Sequence, residues 1–285
     1  MQIKHRKPHN RLKLWPSFDI MRDNIDGIIP VTKVKDWQHL QSVFSNDPIF
    51  KTHDEWLFRG QRRSDWGLTP SLARLSNNET IDPDLAERQL YQFKYSIRGR
   101  VKSISTIDDL DVWAIGQHFG LMTPLLDWSR SPYVSMFFAV EMRDPLNETP
   151  KNYSRAIFAL NKTKLSKLNI DIFVDTLSSE HARLISQNGL FTVSPLGEST
   201  TLETLIINEL AERDVDVDDP EVLRKYAFKI HVPMENEHDR LNCFQSLRKM
   251  NIHHSSLYPD LIGSSSHCNE LIKEEYISKV MDEYS

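Results

Sequence analysis

Residues 116–141 read GQHFGLMTPLLDWSRSPYVSMFFAVE, and the fold is decided in this stretch. Ser131 followed by Pro132 is a helix start: the Ser hydroxyl takes one free amide of the first turn, and Pro removes another that would have no partner. Apolar side chains then recur three and four apart (Tyr133, Met136, Phe137, Val140), with Val134 and Phe138 widening the stripe. That spacing predicts a helix over residues 133–140, buried round most of its circumference. Ahead of it, Pro124 opens a short extended run in which Leu125, Leu126 and Trp128 flank Asp127. A carboxylate among bulky apolar neighbours must find partners or leave the core, because burying it unpaired is costly. Asp127 is therefore either a hydrogen-bond hub of its own turn or a site residue, and Ser129, Arg130 and Ser131 share the turn with it.

Upstream, residues 28–34 and 37–44 predict a strand and a helix, with Pro30 and Lys33 marking an edge strand. Trp56, Leu57 and Phe58 form an aromatic strand that is expected to run into a loop at Arg59 and Gly60. Residues 84–95, preceded by Pro83, and residues 109–119, stopped by Gly120, predict two helices. Downstream, the polar, Pro-containing stretch 143–153 is the expected hinge or insertion site. Residues 156–160 and 190–193 read as strands, and 179–185 and 203–213 as helices. The alternation of Tyr226, Phe228, Ile230 and Val232 with Ala227, Lys229 and His231 predicts a strand buried on one face. Residues 236–250 and 267–282 read as helices joined by a polar turn. Short strands among helices, without regular alternation, give an α+β class: one domain with a small mixed or split sheet flanked by helices.

The chain of 285 residues is 39% hydrophobic and 26% charged, enough for a sizeable core. No apolar run is long enough to cross a bilayer, and no secretory signal opens the chain, so the expectation is a cytoplasmic protein without a membrane partner. Cys243 and Cys268 are too few for a disulfide framework or a zinc site, and no metal is expected. The net charge of −5 argues against broad phosphate contact with duplex DNA. Residues 1–25 are the exception: Lys4, Arg6, Lys7, Arg11 and Lys13 precede the first acid, Asp19. They read as a basic arm, either solvated or able to touch nucleic acid or an acidic partner, ahead of a main domain over 26–285. The acidic run 214–221 lacks the spacing of a calcium loop.

Candidate chemistry gathers at a few positions. Arg59, followed by a glycine that admits a ligand or another backbone, suits a grip on phosphate or carboxylate; the alternative is a structural ion pair with Asp127. With it go Gly60 and Gln61 as binding residues. Gln117 and His118 end a helix one turn before the central turn; His118 is suited to acid–base work or a ribose hydroxyl, or else caps carbonyls. Ser129 is favoured over Ser131 as a ligand hydroxyl because Ser131 has a cap to make. Gln187, before a strand and beside Asn188 and Gly189, is a site residue or a turn former. His253 and His254 are adjacent, an arrangement poor for a metal. No dinucleotide fingerprint, phosphate-binding loop, nucleophile elbow or zinc-protease motif occurs.

LFRGQ (57–61), GQHFGLMTPLLDWSRSP (116–132), SQNGLFTVSP (186–195) and SSLYPDLIG (255–263) together resemble the FRG-domain family, whose aromatic-Arg-Gly signature matches Phe58, Arg59 and Gly60. By motif order the resemblance spans roughly 31–263; Pro124 stands where the family pattern often has Arg. The resemblance implies a component of a prokaryotic defence or toxin system, with a defence-system or phage protein as partner. The order of motifs is also similar to the ADP-ribosyltransferase layout. That likeness implies NAD as substrate, Arg59 on the dinucleotide, Ser129 on its ribose, and Gln187 where that layout has Glu, with His118 and Asp127 as further catalytic candidates. A Gln bonds a ribose but does not take a proton as a carboxylate does, and Glu198 and Glu203 are the nearby alternatives. The competing expectation is a sensor or interaction module that recognises a nucleotide or phage product without turnover.

Overall fold

Seven strands form one mixed sheet in the order β1-β7-β4-β2-β3-β6-β5. They are β1 Val31–Lys33, β2 Trp56–Gln61, β3 Leu125–Ser129, β4 Ser154–Asn161, β5 Phe173–Val174, β6 Gly189–Val193 and β7 Ala227–Pro233. Only the β1/β7 pair is parallel; the other neighbours run antiparallel. The computed structural model describes residues 7–76, 79–101, 107–175, 186–197 and 201–283. The α+β class is observed, and the sheet is a single continuous one. The helix expected over 179–185 lies outside the described residues.

Strands at the sheet centre are covered on both sides. On one face Trp56 and Phe58 of β2, Ile157 and Ala159 of β4, and Phe228, Ile230 and Val232 of β7 pack against α1 (Trp37–Asn46), α4 (Pro132–Val140) and α8 (Glu237–Lys249). On the other face Leu57, Phe158, Leu160, Leu126 and Trp128 meet α5 (Lys162–Lys167), α6 (Leu202–Ala211) and α7 (Pro220–Leu223). A third cluster joins α2 (Pro83–Ser96) and α3 (Asp109–His118) to Leu125, Val174 and Phe191 at the β3/β6/β5 end. β4 is buried at all of its positions, which accounts for its nearly unbroken apolar run. Past α8, the short α9 (His254–Leu257) leads into α10 (Leu261–Glu283), which begins six residues earlier than the spacing of apolar residues suggested.

Local signals read from the sequence act as expected at several ends. Ser131 caps α4 by accepting the Val134 amide, with Pro132 at its first position. α3 stops at His118, and Gly120 follows with φ +87°, a conformation a side chain would resist. β1 is a short edge strand.

Elsewhere tertiary context overrides the pattern. β2 does not end at Phe58: Arg59, Gly60 and Gln61 continue it, paired with Phe158, Ile157 and Ala156 of β4. β7 is buried on both faces, Lys229 and His231 included. The reason is the N-terminal stretch, which from Pro8 onward is built into the body. Trp15 and Phe18 enter the core, and Asp26 accepts from His231 Nε2 at 2.6 Å with Lys229 Nζ at 3.7 Å and Arg11 beside it. Lys7 pairs with Glu235 and Lys13 with Asp19, so these basic residues have acidic partners within the chain. Lys4 and Arg6 lie outside the described residues. The 143–153 segment is clamped rather than hinge-like: Asp144 binds Arg62 and Arg155, and Glu148 binds Arg62 and Arg63.

The Asp26–His231 pair makes stability depend on pH. Burial drives the His231 imidazole down to about 4, against the pull of Asp26. Burial would raise the Asp26 carboxyl, but His231, Lys229 and Arg11 together hold it below its usual range. A histidine whose folded pKa is depressed favours folding above its unfolded value near 6.5 and loses that contribution as pH falls toward 4. Urea unfolding is therefore expected to show a loss of about 2 kcal/mol between pH 7 and pH 5. His231→Asn, though less stable at pH 7, should lack most of that slope, and an equally steep slope in the variant would contradict the assignment.

Candidate functional site

The site begins with a gap in the sheet. β2 and β3 pair only at Phe58 and Ser129, after which the strands splay apart. The splay follows from what packs over β2. A Cβ on Gly60 would lie 1.7 Å from the Ser135 carbonyl oxygen, so the glycine admits the backbone of α4, not a ligand. With α4 pressed onto β2 and the β3 turn leading into the start of that helix, a cavity of about 320 Å³ opens beside the two strands. Its volume lies near the lower end for small-molecule sites.

Arg59 bridges the gap. Its Nη1 donates to the Asp127 carbonyl at 2.8 Å, taking up an acceptor that the broken ladder leaves free, and stands 3.7 Å from the Asp127 carboxylate. The guanidinium is mostly buried, and its Nε has no hydrogen-bond partner. Burial pushes it below its ordinary value, partly offset by Asp127, yet an Arg keeps its charge at neutral pH. An under-bonded buried cation at a cavity wall is suited to an anionic group, which forms stronger hydrogen bonds than a neutral acceptor does.

Asp127 takes the second course open to it and leaves the core: its side chain is 55% exposed at the cavity, between apolar neighbours that face inward. Its Oδ1 accepts from Gln117 Nε2 at 2.7 Å. Gln117 Oε1 in turn accepts from the fully buried Thr123 hydroxyl. His118 lines the same wall, its ring edge-on to Phe119.

Ser129 is buried and already employed. Its Oγ donates to the Gln187 carbonyl at 2.7 Å and accepts the Ser131 amide at 3.0 Å, tying β3 to the start of α4 and to the approach to β6. Gln187 lines the cavity while its amide donates to the Leu257 carbonyl at 3.3 Å. Gln61 is turned away: it is buried and donates to the Gly67 carbonyl at 2.9 Å. Glu203 is not at the cavity either. It accepts the Leu68 amide at 2.6 Å, and burial raises its carboxyl above the usual range. Glu198 lies outside the described residues.

Seven of the expected residues thus meet at one opening: Arg59, Gly60, Gln117, His118, Asp127, Ser129 and Gln187. Sequence reasoning missed the aromatic walls, Phe138, Phe191 and Tyr258. The first two were legible only as core residues of α4 and β6. Tyr258 sits between two helices in a Tyr-Pro-Asp turn, and its hydroxyl donates to Glu141 at 3.1 Å, which fixes the ring from the far side. Among the described residues no group of three His, Cys, Asp or Glu side chains could hold a metal, and no helix is long and apolar enough to cross a membrane.

A family model for the FRG domain matches residues 54–148, a third of the chain, covering β2, α2, α3, β3 and α4. The chain carries an FRG domain. The signature Phe58-Arg59-Gly60 now has a physical content: Phe58 fills the core, Arg59 bridges the splayed strands and Gly60 receives the helix. The matched span is narrower than the resemblance read from the motifs, and Gln187 and Tyr258 reach the cavity from outside it. No curated protein and no solved structure matches the chain.

Two substitutions separate support from site. Gly60→Ala sets a methyl against a helix backbone that cannot give way, and it is expected to cost about 3 kcal/mol or more in urea unfolding. Asp127→Asn, at an exposed position that can still accept from Gln117, should change stability by no more than about 1 kcal/mol in the same assay. A larger loss would mark Asp127 as a structural hub.

Proposed function

We propose that the FRG-domain cavity binds a nucleotide, and that its chemistry is cleavage of the glycosidic bond to nicotinamide in NAD. The observation that carries the reading is the pairing of a buried, under-bonded cation with an exposed carboxylate at one opening, 3.7 Å apart. Arg59 takes a phosphate. Asp127 accepts from the ribose hydroxyls and stabilises the positive charge that develops at the anomeric carbon. Phe138, Phe191 and Tyr258 offer faces and edges to the planar ring. The cavity holds the nicotinamide ribose and a phosphate; the adenosine half lies outside it.

In this reaction the bond from the anomeric carbon to the ring nitrogen breaks, and nicotinamide leaves with the electron pair as a neutral molecule. Water or an acceptor hydroxyl attacks the ribosyl carbon and loses its proton, for which His118 on the cavity wall is the candidate base. The carboxylate role falls to Asp127, because Gln187 cannot take a proton and its amide is bound to Leu257. A defence or toxin setting, with a phage or defence-system protein as trigger or target, follows from the family resemblance.

A second reading is favoured by a specific observation: the Ser129 hydroxyl and the Gln187 amide are both engaged by backbone groups, leaving few polar atoms for a reacting substrate. In that reading the same cavity senses a nucleotide without turning it over.

Calorimetry with NAD, together with an assay for free nicotinamide, tests both. Wild type is expected to bind and to release nicotinamide, Arg59→Ala to bind about tenfold or more weakly, and Asp127→Asn to bind without release. Binding without release by wild type supports the sensor. Absence of binding by a folded wild-type protein overturns the nucleotide site.

A further inference from the structure

Thr123 is not at the cavity, yet it is bonded through Gln117 to a carboxylate that the cavity presents. It is fully buried in the link between α3 and β3, and both its backbone and its side chain are held. The amide donates to Ser71 Oγ at 2.9 Å, the carbonyl accepts the Leu72 amide at 3.1 Å, and Oγ1 accepts the Leu125 amide at 3.2 Å. With that N–H pointing at its lone pair, the hydroxyl proton goes to Gln117 Oε1.

This last bond has a consequence two groups away. A glutamine amide has two nearly isosteric orientations, one offering a donor and the other an acceptor. The proton from Thr123 favours the orientation with Oε1 inward, and Nε2 then faces Asp127 Oδ1 at 2.7 Å. The reversed amide would set a carbonyl oxygen against the carboxylate, acceptor against acceptor. Asp127 consequently meets the cavity as a fixed acceptor, one oxygen bound to Gln117 and the other 3.7 Å from Arg59.

We propose that Thr123 is the positioning residue of the cavity: through Gln117 it holds Asp127 as an oriented acceptor, so the site selects ligands that present hydroxyl donors at Asp127 and an anion at Arg59. This deepens the nucleotide reading and rests on it for the identity of the ligand, but not for the geometry of the relay.

Two measurements test it. In ligand-free protein labelled with nitrogen-15, the side-chain amide of Gln117 should give a distinct pair of proton signals in wild type, assigned by their loss in Gln117→Met. Thr123→Val, which keeps the shape and removes the proton, should collapse or strongly shift that pair, and Thr123→Ser should restore it. For NAD binding by calorimetry, Thr123→Val should weaken affinity about tenfold, the loss of one hydrogen bond to a charged partner's support. Thr123→Ser should lie within about twofold of wild type. In a Gln117→Met background Thr123→Val should have no further effect, because the two act through one chain of bonds. Unchanged Gln117 signals in Thr123→Val, or a Thr123→Ser protein that behaves like Thr123→Val, overturn the proposal. Signals that respond as expected while wild type fails to bind NAD uphold the relay and reject the nucleotide instead. If Thr123→Val does not fold, the comparison of Thr123→Ser with Gln117→Met decides: the serine variant must keep the wild-type signals and affinity, and the methionine variant must lose the affinity.

Discussion

The contact on which the rest depends is the seating of the Ser135 carbonyl against Gly60, where the backbone of α4 meets the backbone of β2 without a side chain between them. A helix held that close fixes the position of its own start, and Ser131 and Pro132 set the angle at which the chain enters it. Ser129, bonded to the Ser131 amide and to the Gln187 carbonyl, carries the constraint back into β3. β3 can then touch β2 at only one register position before diverging. The cavity is the space this divergence leaves. Backbone groups exposed along such a gap need partners, and the Arg59 guanidinium supplies one to the Asp127 carbonyl.

Charge is handled in two different ways in the molecule. At the far side of the sheet, Asp26, His231 and Lys229 are sealed together, each answering the other's loss of water, with the partly exposed Arg11 against Asp26. A group of this kind favours one arrangement of the N-terminal segment over β7, because removing any partner strands the others. At the cavity, Arg59 and Asp127 are neither sealed nor fully satisfied: one has a bare Nε and the other an exposed carboxylate. The contrast matters for function. The first group holds the N-terminal segment against β7, whereas the second stands at an opening; an unpartnered Nε alone does not separate them, since the buried Arg155 has one too.

Local chemistry was legible in the sequence wherever a single residue type settles a backbone conformation. The Ser131-Pro132 start of α4, the Gly120 stop after α3 and the edge position of β1 all belong to this kind. Features set by a distant partner were not legible. The alternation in β7 correctly separates two faces, but nothing nearby reveals that Asp26 arrives to bury Lys229 and His231. The continuation of β2 through Gln61 depends on β4, nearly a hundred residues later in the chain. At the site, Arg59 and Asp127 were recognisable because an Arg before a Gly and an acid among apolar residues each need explaining. Gln61 looked equivalent to Gln117, and only the tertiary contacts, Gly67 for one and Asp127 for the other, tell them apart.

The FRG match covers the floor and the charged wall of the cavity, but not all of its enclosure. Phe58, Arg59, Gly60, Gln117, Asp127 and Phe138 fall within residues 54–148, whereas Gln187, Phe191 and Tyr258 do not. Phe191 is tied to the family core through β6, which pairs with β3 at Asp127, while Tyr258 is held through Glu141 and Gln187 through bonds to Leu257 and Ser129. A cation and an acceptor on one side face aromatic side chains on the other, of which Phe138 belongs to the matched segment and Phe191 and Tyr258 do not. In the nucleotide reading proposed above, the polar pair meets the phosphate and ribose and the aromatic side chains the ring. The Arg59–Asp127 pair is therefore specified by the matched segment, whereas two of the three aromatic walls come from a part of the chain that the segment does not cover.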